Sequence, residues 1–209
     1  MSITLIIIAV TCLVSFPAFG NEPSRDRLLF WPYYISGYRE YHRFITAGFV
    51  HADVTHLLFN MISLYSFGTA VEEYMFPYLF ERLSTPIYIL LYFSALAFSS
   101  VPDFFKHRHD VSYRALGASG AVSAVIFSAI TIRPDMPIRF FFIPIDIPGY
   151  IFGLLFLGFS YYLAKKGSDN IGHNAHFWGS VYGIFFTWLA AKLLSGIDLF
   201  RSFLAQFPG

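Results

Sequence analysis

The chain has 209 residues, of which 56% are hydrophobic, 21% are aromatic and only 13% are charged. Soluble domains carry about twice that charged fraction, so the composition excludes an ordinary soluble protein. The formal net charge of +1 gives no indication of nucleic-acid binding or of an acidic partner.

The first candidate membrane span covers residues 3–19, an apolar stretch that contains the single cysteine, Cys12. One cysteine excludes an intrachain disulfide. A cleaved signal peptide at residues 1–20 is the alternative, because Ala18-Phe19-Gly20 resembles a small-residue cleavage site. No Lys or Arg precedes Ile3, so the basic start of a signal peptide is missing and a span is the better interpretation.

Residues 20–50 are polar and then rich in aromatic rings and arginines: Trp31, Tyr33, Tyr34, Tyr38, Tyr41, Arg39 and Arg43. Amphipathic rings and arginines are typical of the lipid headgroup layer. We therefore predict a loop that lies on or dips into the membrane interface, rather than a solvated linker.

Further apolar stretches of spanning length predict five more helices, at about residues 53–75, 85–101, 117–133, 148–164 and 171–194. Polar loops are expected at 102–116 and 165–170. Three prolines break the segment 134–147 too often for it to be a span. The sequence thus predicts an all-α, polytopic membrane protein with one domain over residues 1–209 and a bundle of six transmembrane helices in the lipid bilayer.

The second, fourth and sixth helices carry polar residues near their N-terminal ends: His56, Asn60, Ser119 and His176. These three helices enter the membrane from the same side, so their polar residues can lie at similar depths below one surface. Polar groups at membrane depth are energetically unfavourable and therefore indicate function. We predict that they meet in one site.

The segment Gly117-Ala118-Ser119-Gly120 opens the fourth helix with a serine between small residues. Backbone N–H groups in the first turn of a helix have no partner inside it, and they lie at the positive end of the helix dipole. A nucleophilic serine beside an oxyanion hole needs such an environment. The alternative is that small residues only allow close packing of membrane helices.

The chain resembles the rhomboid family of intramembrane serine proteases across the six-helix core. The resemblance rests on three short motifs in order: His56-x-x-x-Asn60 followed by Met61, Gly117-Ala118-Ser119-Gly120, and Ala175-His176-Phe177-Trp178-Gly179 followed by Gly183.

The resemblance implies that Ser119 is the nucleophile and His176 the general base, with no third carboxylate. It implies an oxyanion hole made by His56, Asn60 and the Ser119 N–H. It further implies supporting roles: His51 matches a frequent histidine, Arg43 an arginine of the first loop, and Glu72 a glutamate that braces the inner end of that loop. Gly179 and Gly183 would let the sixth helix press against the fourth, and Gly117 and Gly120 flank Ala118 and Ser119. Substrates would be transmembrane proteins.

Three positions depart from the family pattern. His42 stands where Trp usually precedes the loop arginine, and Ser123 replaces an aromatic residue that stacks on the histidine. Phe127 replaces a small residue on the fourth helix. We expect weaker support for the His176 ring and a looser fit between the fourth and sixth helices.

Three functions other than serine proteolysis are compatible with a small membrane protein. The histidine spacings include no HExxH motif, so we expect no catalytic metal and no cofactor. A catalytically inert, rhomboid-like protein that binds or escorts membrane helices is the main alternative, although such relatives lack the serine or the histidine. A small transporter is disfavoured because the chain shows no internal repeat.

Charge and resemblance disagree about orientation. The first, third and fifth loops hold nine basic residues and the opposite side holds five, which by the positive-inside rule would place the nine in the cytoplasm. The resemblance implies cytoplasmic termini and a site that opens outward, in a bacterial inner membrane. We predict the latter, because four of the nine lie in the aromatic loop and can anchor in either leaflet.

Overall fold

Helices dominate the computed structural model, which describes residues 2–140, 143–166 and 172–205. They are α1 (Ile3–Ala18), α2 (Glu22–Leu28), α3 (Pro32–Tyr38), α4 (Arg43–Thr46), α5 (Val54–Ser63), α6 (Phe76–Phe80), α7 (Ser84–His107), α8 (Ser119–Ile132), α9 (Gly149–Lys166), α10 (His173–Ala190) and α11 (Leu199–Ala205). Most of the predicted 165–170 loop and the last four residues lie outside the described part.

A β-hairpin departs from the predicted all-α class. Strands β1 (Pro137–Phe140) and β2 (Ile143–Pro148) pair antiparallel, with Pro137 opposite Pro148. Arg139 and Asp146 form an exposed two-point ion pair across the hairpin at 2.7 and 2.9 Å. The prediction that 134–147 is no span is confirmed. The strands were missed because prolines argue against a strand, whereas Pro137 and Pro148 stand at strand ends and Pro144 is the second residue of a strand in a two-stranded sheet, where proline is tolerated.

Helix α1 turns its polar residues inward and its apolar residues outward. Thr4, Thr11 and Ser15 are fully buried, whereas Leu13 and Phe16 are mostly exposed. This is the reverse of a soluble amphipathic helix and suits a lipid-facing surface, where inward polar groups hydrogen-bond to neighbouring helices. These contacts favour the span interpretation of residues 3–19 over the signal-peptide interpretation.

Two helical runs among the described residues are long and apolar enough to cross a membrane, Val54–His107 and His173–Ser195. Ile3–Ala18 and Ser119–Ile132 are apolar but shorter. The longer run includes π-helical segments at Leu64–Gly68 and Val71–Met75 and is broken at Glu81, where φ is +48°. It therefore covers the predicted second and third spans, but the count of six spans is not confirmed.

The first loop is more ordered than its sequence indicates. The short helices α2, α3 and α4 and a 3₁₀ turn at Ala47–Phe49 lie within the predicted interfacial loop. Helix α7 continues six residues past the predicted end at 101, through Pro102 to His107, so the following loop is shorter than expected.

Helix α8 lies at the centre of the bundle. Every residue from Gly120 to Ile130 is buried. A helix that is buried on every side leaves no face for solvent or lipid, and its neighbours here include α5, α7, α9 and α10. The helix that begins at Ser119 is therefore the central helix of the bundle.

Helices α8 and α10 pack backbone against backbone. A Cβ atom at Gly179 would overlap the carbonyl oxygen of Gly120, and one at Gly183 would overlap the carbonyl oxygen of Ala124. Farther along the same contact, the Thr187 hydroxyl donates to Ser128 Oγ at 2.7 Å in a buried hydrogen bond. Small residues at this spacing allow the close approach typical of membrane helices.

Phe127 points away from this contact, so the prediction of a looser fit between α8 and α10 is wrong. Its ring lies against Phe156 of α9, with ring centroids 5.8 Å apart. A Cβ at Gly153 would lie 3.3 Å from Phe127 Cε1, so the absence of a side chain on α9 makes room for the ring. The extra volume is accommodated between α8 and α9.

Gly183→Ala should lower the free energy of unfolding by about 1–3 kcal/mol, the usual effect of overpacking, because the new methyl group meets the Ala124 backbone. Gly158→Ala on α9 is the matched control, since its Cβ would have no neighbour within 4 Å. That variant should be unchanged or up to ~1 kcal/mol more stable. Thermal unfolding in detergent compares the two, and equal stabilities would contradict the backbone contact.

Candidate active site

Backbone hydrogen bonds attach the segment before Ser119 to the first loop. Ala115 and Phe30 exchange N–H···O bonds of 2.9 and 3.0 Å. The Gly117 N–H then donates to the Ala47 carbonyl at 2.9 Å. The first loop therefore determines where the chain enters α8 and where Ser119 lies.

Gly117 has a conformation and a neighbour that both require glycine. Its φ of +111° is unfavourable for residues with a side chain. A Cβ there would lie only 2.7 Å from His56 Cε1 and 2.9 Å from His56 Nε2. The His56 ring consequently lies directly against the turn that leads into Ser119.

His51 is fully buried beneath this turn. The Ala118 N–H donates to His51 Nε2 at 3.3 Å, and Ser15 Oγ lies 3.0 Å from His51 Nδ1. Burial first, and then repulsion from His56, lower the pKa of His51 to about 3, against a smaller opposing effect of Asp53. A neutral imidazole with one donor and one acceptor nitrogen therefore supports the turn.

The proton on His56 is assigned from its neighbours. The Ala52 N–H donates to His56 Nδ1 in a long hydrogen bond of 3.5 Å, so Nδ1 is the acceptor and Nε2 carries the proton. The Nε2 side of the ring faces Gly117. His56 thus presents an N–H donor at the start of α8.

Asn60 follows His56 by one helical turn and is buried. Its Nδ2 donates to the His56 carbonyl at 3.0 Å, which uses one of its two N–H donors inside the same helix. The second donor is available for another acceptor.

His176 lies on α10 one turn before Gly179, the residue in contact with Gly120. The ring of Phe156 lies beside the His176 ring, with centroids 6.0 Å apart and an interplanar angle of 32°. His56 is close enough to His176 for an electrostatic interaction. Phe156 thus provides, from α9, aromatic support that was not expected at His176.

No hydrogen bond joins the Ser119 hydroxyl to the His176 ring, both of which belong to the described residues. Side chains in such pairs are often loosely aligned in the free enzyme and approach each other only when substrate is bound. The structure places the two residues on adjacent helices, and their chemical role stays a prediction.

A small cavity of about 40 Å³ adjoins Ser119 on the side of α7 and α10. Its polar lining comes from Ser99, Ser100 and Asp103 of α7. Asn174 Nδ2 donates to Asp103 Oδ1 at 2.6 Å and connects α10 to α7 at the cavity edge. A cavity of this size has room for one water molecule beside these polar groups.

Arg43 lies in the first loop, as the sequence predicted, and its side chain is buried. Its guanidinium donates to the carbonyls of Asp26 and Leu29 at 2.7 and 2.9 Å and to Glu40 at 2.5 Å. It connects α2 to α4 and so stabilises the loop that supports the Ser119 turn.

Glu72 does not brace the first loop, so that prediction is wrong. Its carboxylate accepts hydrogen bonds from the Ser2 hydroxyl and from the N–H groups of Ile3 and Thr4, at 2.7, 2.5 and 2.8 Å. These are the unpaired donors at the N-terminus of α1. Glu72 therefore caps α1.

Two residues that contact the site, Phe156 and Ser15, are absent from the sequence prediction. Nothing in the sequence distinguishes Phe156, because it is one of many aromatic residues in its span. A polar helix face does indicate Ser15, because Thr4, Thr11 and Ser15 are seven and four residues apart and therefore lie on one side of the helix.

Comparisons with known proteins identify the family of this chain. The family model for the rhomboid domain matches residues 38–193. The chain is 32% identical over 147 residues to RHOMBOID-like protein 12, mitochondrial, of Arabidopsis thaliana, covering 66% of this chain and 43% of the relative. It is 26% identical over 193 residues to Rhomboid protease GlpG of Haemophilus influenzae, covering 91% and 92%. It is 28% identical over 158 residues to Rhomboid protease GluP of Bacillus subtilis, covering 74% and 27%.

The fold and the family match define a membrane protein of a class that includes intramembrane serine proteases. The chain belongs to the rhomboid family. It spans less than half the length of the Arabidopsis and Bacillus relatives. One relative is named as mitochondrial and two come from bacteria, so the predicted bacterial inner membrane is not confirmed.

Proposed function

We propose that the protein is an intramembrane serine endopeptidase with Ser119 as nucleophile and His176 as general base. One observation carries the proposal: a serine opens the buried central helix, two residues after a glycine of positive φ that is covered by a histidine N–H donor. A helix-packing role for the small residues requires neither the positive φ nor the His56 ring.

The reaction follows the usual order for acyl transfer by serine. His176 takes the proton from the Ser119 hydroxyl as the oxygen attacks a peptide carbonyl, and it returns the proton to the leaving amine. An acyl-enzyme on Ser119 remains. Water, activated by the same histidine, then attacks the ester and releases the acid and free Ser119.

Three donors would stabilise the negative charge that develops on the substrate oxygen in this reaction. They are His56 Nε2–H, the second Nδ2–H of Asn60 and the Ser119 N–H in the first turn of α8. Each such donor is typically worth about 3 kcal/mol of barrier lowering.

The substrate class follows from the position of Ser119 among membrane helices. A transmembrane helix must unwind locally at the scissile bond, because helical hydrogen bonds otherwise occupy its carbonyls. Water must also reach Ser119, and the polar cavity beside it provides space for that water. Helix-breaking residues in a substrate should therefore favour cleavage.

Ser119→Ala and His176→Ala should each abolish cleavage of a single-pass membrane substrate, and the double variant should be no worse, since the two residues act as a unit. A labelled fluorophosphonate should react with the unaltered protein and not with Ser119→Ala. Cleavage in gel assays of purified protein in detergent measures the effect. Binding of membrane helices without cleavage or labelling would favour the inert, helix-escorting alternative.

His56→Ala and Asn60→Ala should lower turnover by roughly 10- to 1000-fold and leave measurable activity, because other oxyanion donors remain. The fluorophosphonate should still label Ser119 in both variants, although more slowly. Asn60→Asp is the matched comparison, since it keeps the size and removes the donor. Turnover unchanged in Asn60→Ala would remove Asn60 from the oxyanion hole.

The orientation is proposed with both termini in the cytoplasm and the site opening to the opposite side, in a bacterial inner membrane. A reporter pair, one active only in the cytoplasm and one only outside it, should report a cytoplasmic fusion after Gly209 and an external insertion after Gly167. The reverse pattern would mean that the positive-inside rule decides the orientation.

A further inference from the structure

Ser15 connects the first helix to the turn that carries Ser119. It belongs to the buried polar face of α1 and is fully inaccessible. Its hydroxyl donates to the Phe49 carbonyl at 2.8 Å and lies 3.0 Å from His51 Nδ1. On the other side of that ring, His51 Nε2 accepts the Ala118 N–H.

Counting donors determines where every proton in this chain of bonds lies. The Ala118 N–H can only donate, so His51 Nε2 must be the unprotonated nitrogen. A neutral imidazole then carries its proton on Nδ1, and that N–H donates to Ser15 Oγ. The one Ser15 proton is left for the Phe49 carbonyl, the partner it has. The chain runs Ala118 to His51 to Ser15 to Phe49, and each polar atom in it is satisfied.

We propose that Ser15 is a positioning residue for catalysis, which acts through His51 to hold the Ala118–Ser119 peptide. The inference rests on the proposed role of Ser119 as nucleophile. The Ser15 oxygen accepts the Nδ1–H of His51, and this fixes the ring in the position where its Nε2 accepts the Ala118 N–H. His56, protonated on Nε2, has the opposite form, so the two neighbouring histidines have different tasks: His51 holds the backbone and His56 faces the substrate oxygen.

Loss of the Ser15 hydroxyl removes the acceptor of the His51 Nδ1–H. The Nδ1–H is then a buried donor without an acceptor, which is energetically unfavourable, while Nε2 still has to accept the Ala118 N–H. The ring moves towards another acceptor, and the turn that it holds shifts with it. A displacement of the nucleophile by even 1 Å can lower the rate by about 100-fold. Ser15 is fully buried and cannot touch a substrate helix, so turnover should change more than substrate affinity.

Ser15→Ala should lower kcat by roughly 5- to 50-fold with little change in KM, the range expected for a nucleophile displaced by a fraction of an ångström. Ser15→Thr should keep most of the activity, because it retains the hydroxyl. Thr11→Val is the control on the same buried face, since Thr11 Oγ1 has no partner among the described residues. It should leave kcat unchanged. A loss in Thr11→Val as large as in Ser15→Ala would mean that only the packing of α1 matters.

A double-mutant cycle of Ser15 and His51 shows whether Ser15→Ala acts through His51 or through a general loss of stability. In a His51→Ala background, Ser15→Ala should have no further effect on kcat, because the residue through which it acts is gone. An undiminished effect of Ser15→Ala in that background would overturn the proposal.

The proton positions can be measured without any activity. Nitrogen-15 NMR of histidine-labelled protein, with the His51 signals assigned by their loss in His51→Gln, should show His51 protonated on Nδ1. Ser15→Ala should shift the His51 Nδ1 and Nδ1–H signals, because that N–H loses its acceptor, and Thr11→Val should leave them unchanged. A His51 ring protonated on Nε2 in the unaltered protein would overturn the proposal. If the protein proved inactive, the proposed protease function would fail while these signals still tested the bond between Ser15 and His51.

Discussion

The close approach of α8 and α10 determines the geometry of the rest of the molecule. Gly179 and Gly183 bring the backbone of α10 against the carbonyls of Gly120 and Ala124, a distance that no side chain would permit. Because this contact begins one residue after Ser119 and three residues after His176, it places the two proposed catalytic residues on facing turns. The other helices surround the pair, and even the large Phe127 side chain points towards α9, away from the contact.

The turn before Ser119 is held by bonds to its backbone and not by the serine itself. Ala115, Gly117 and Ala118 donate to Phe30, Ala47 and His51 in succession. The first loop therefore has a structural task, which explains why a buried arginine, Arg43, connects its helices. Such preorganisation suits catalysis, since donors fixed before the reaction need not reorient during it. The Ser119 hydroxyl takes no part in these bonds.

Polar groups in this chain face inward because lipid offers them no partner. Glu72 caps the N-terminus of α1, Thr4 pairs with Tyr88 at 2.7 Å, and Ser15 reaches His51. Helix association in a membrane lacks the hydrophobic driving force of water, so small residues and buried hydrogen bonds carry more of the specificity. In α1 the same bonds that hold the helix in the bundle also connect it to the site.

The sequence by itself determined the class of protein and the mostly helical fold, and it predicted the residues of the site. Apolar runs reveal spans because a bilayer demands a minimum length, and histidine, asparagine and serine stand out in them because such groups are rare at that depth. Only the tertiary structure decided that Glu72 caps α1, that Phe156 supports His176 and that Ser15 bonds to His51. These contacts join residues from different helices, up to 70 positions apart. Where helices are apolar on nearly every face, hydrophobic periodicity does not show which helices pack together. The packing of the helices determines which side chains meet, so the sequence alone could not predict these contacts.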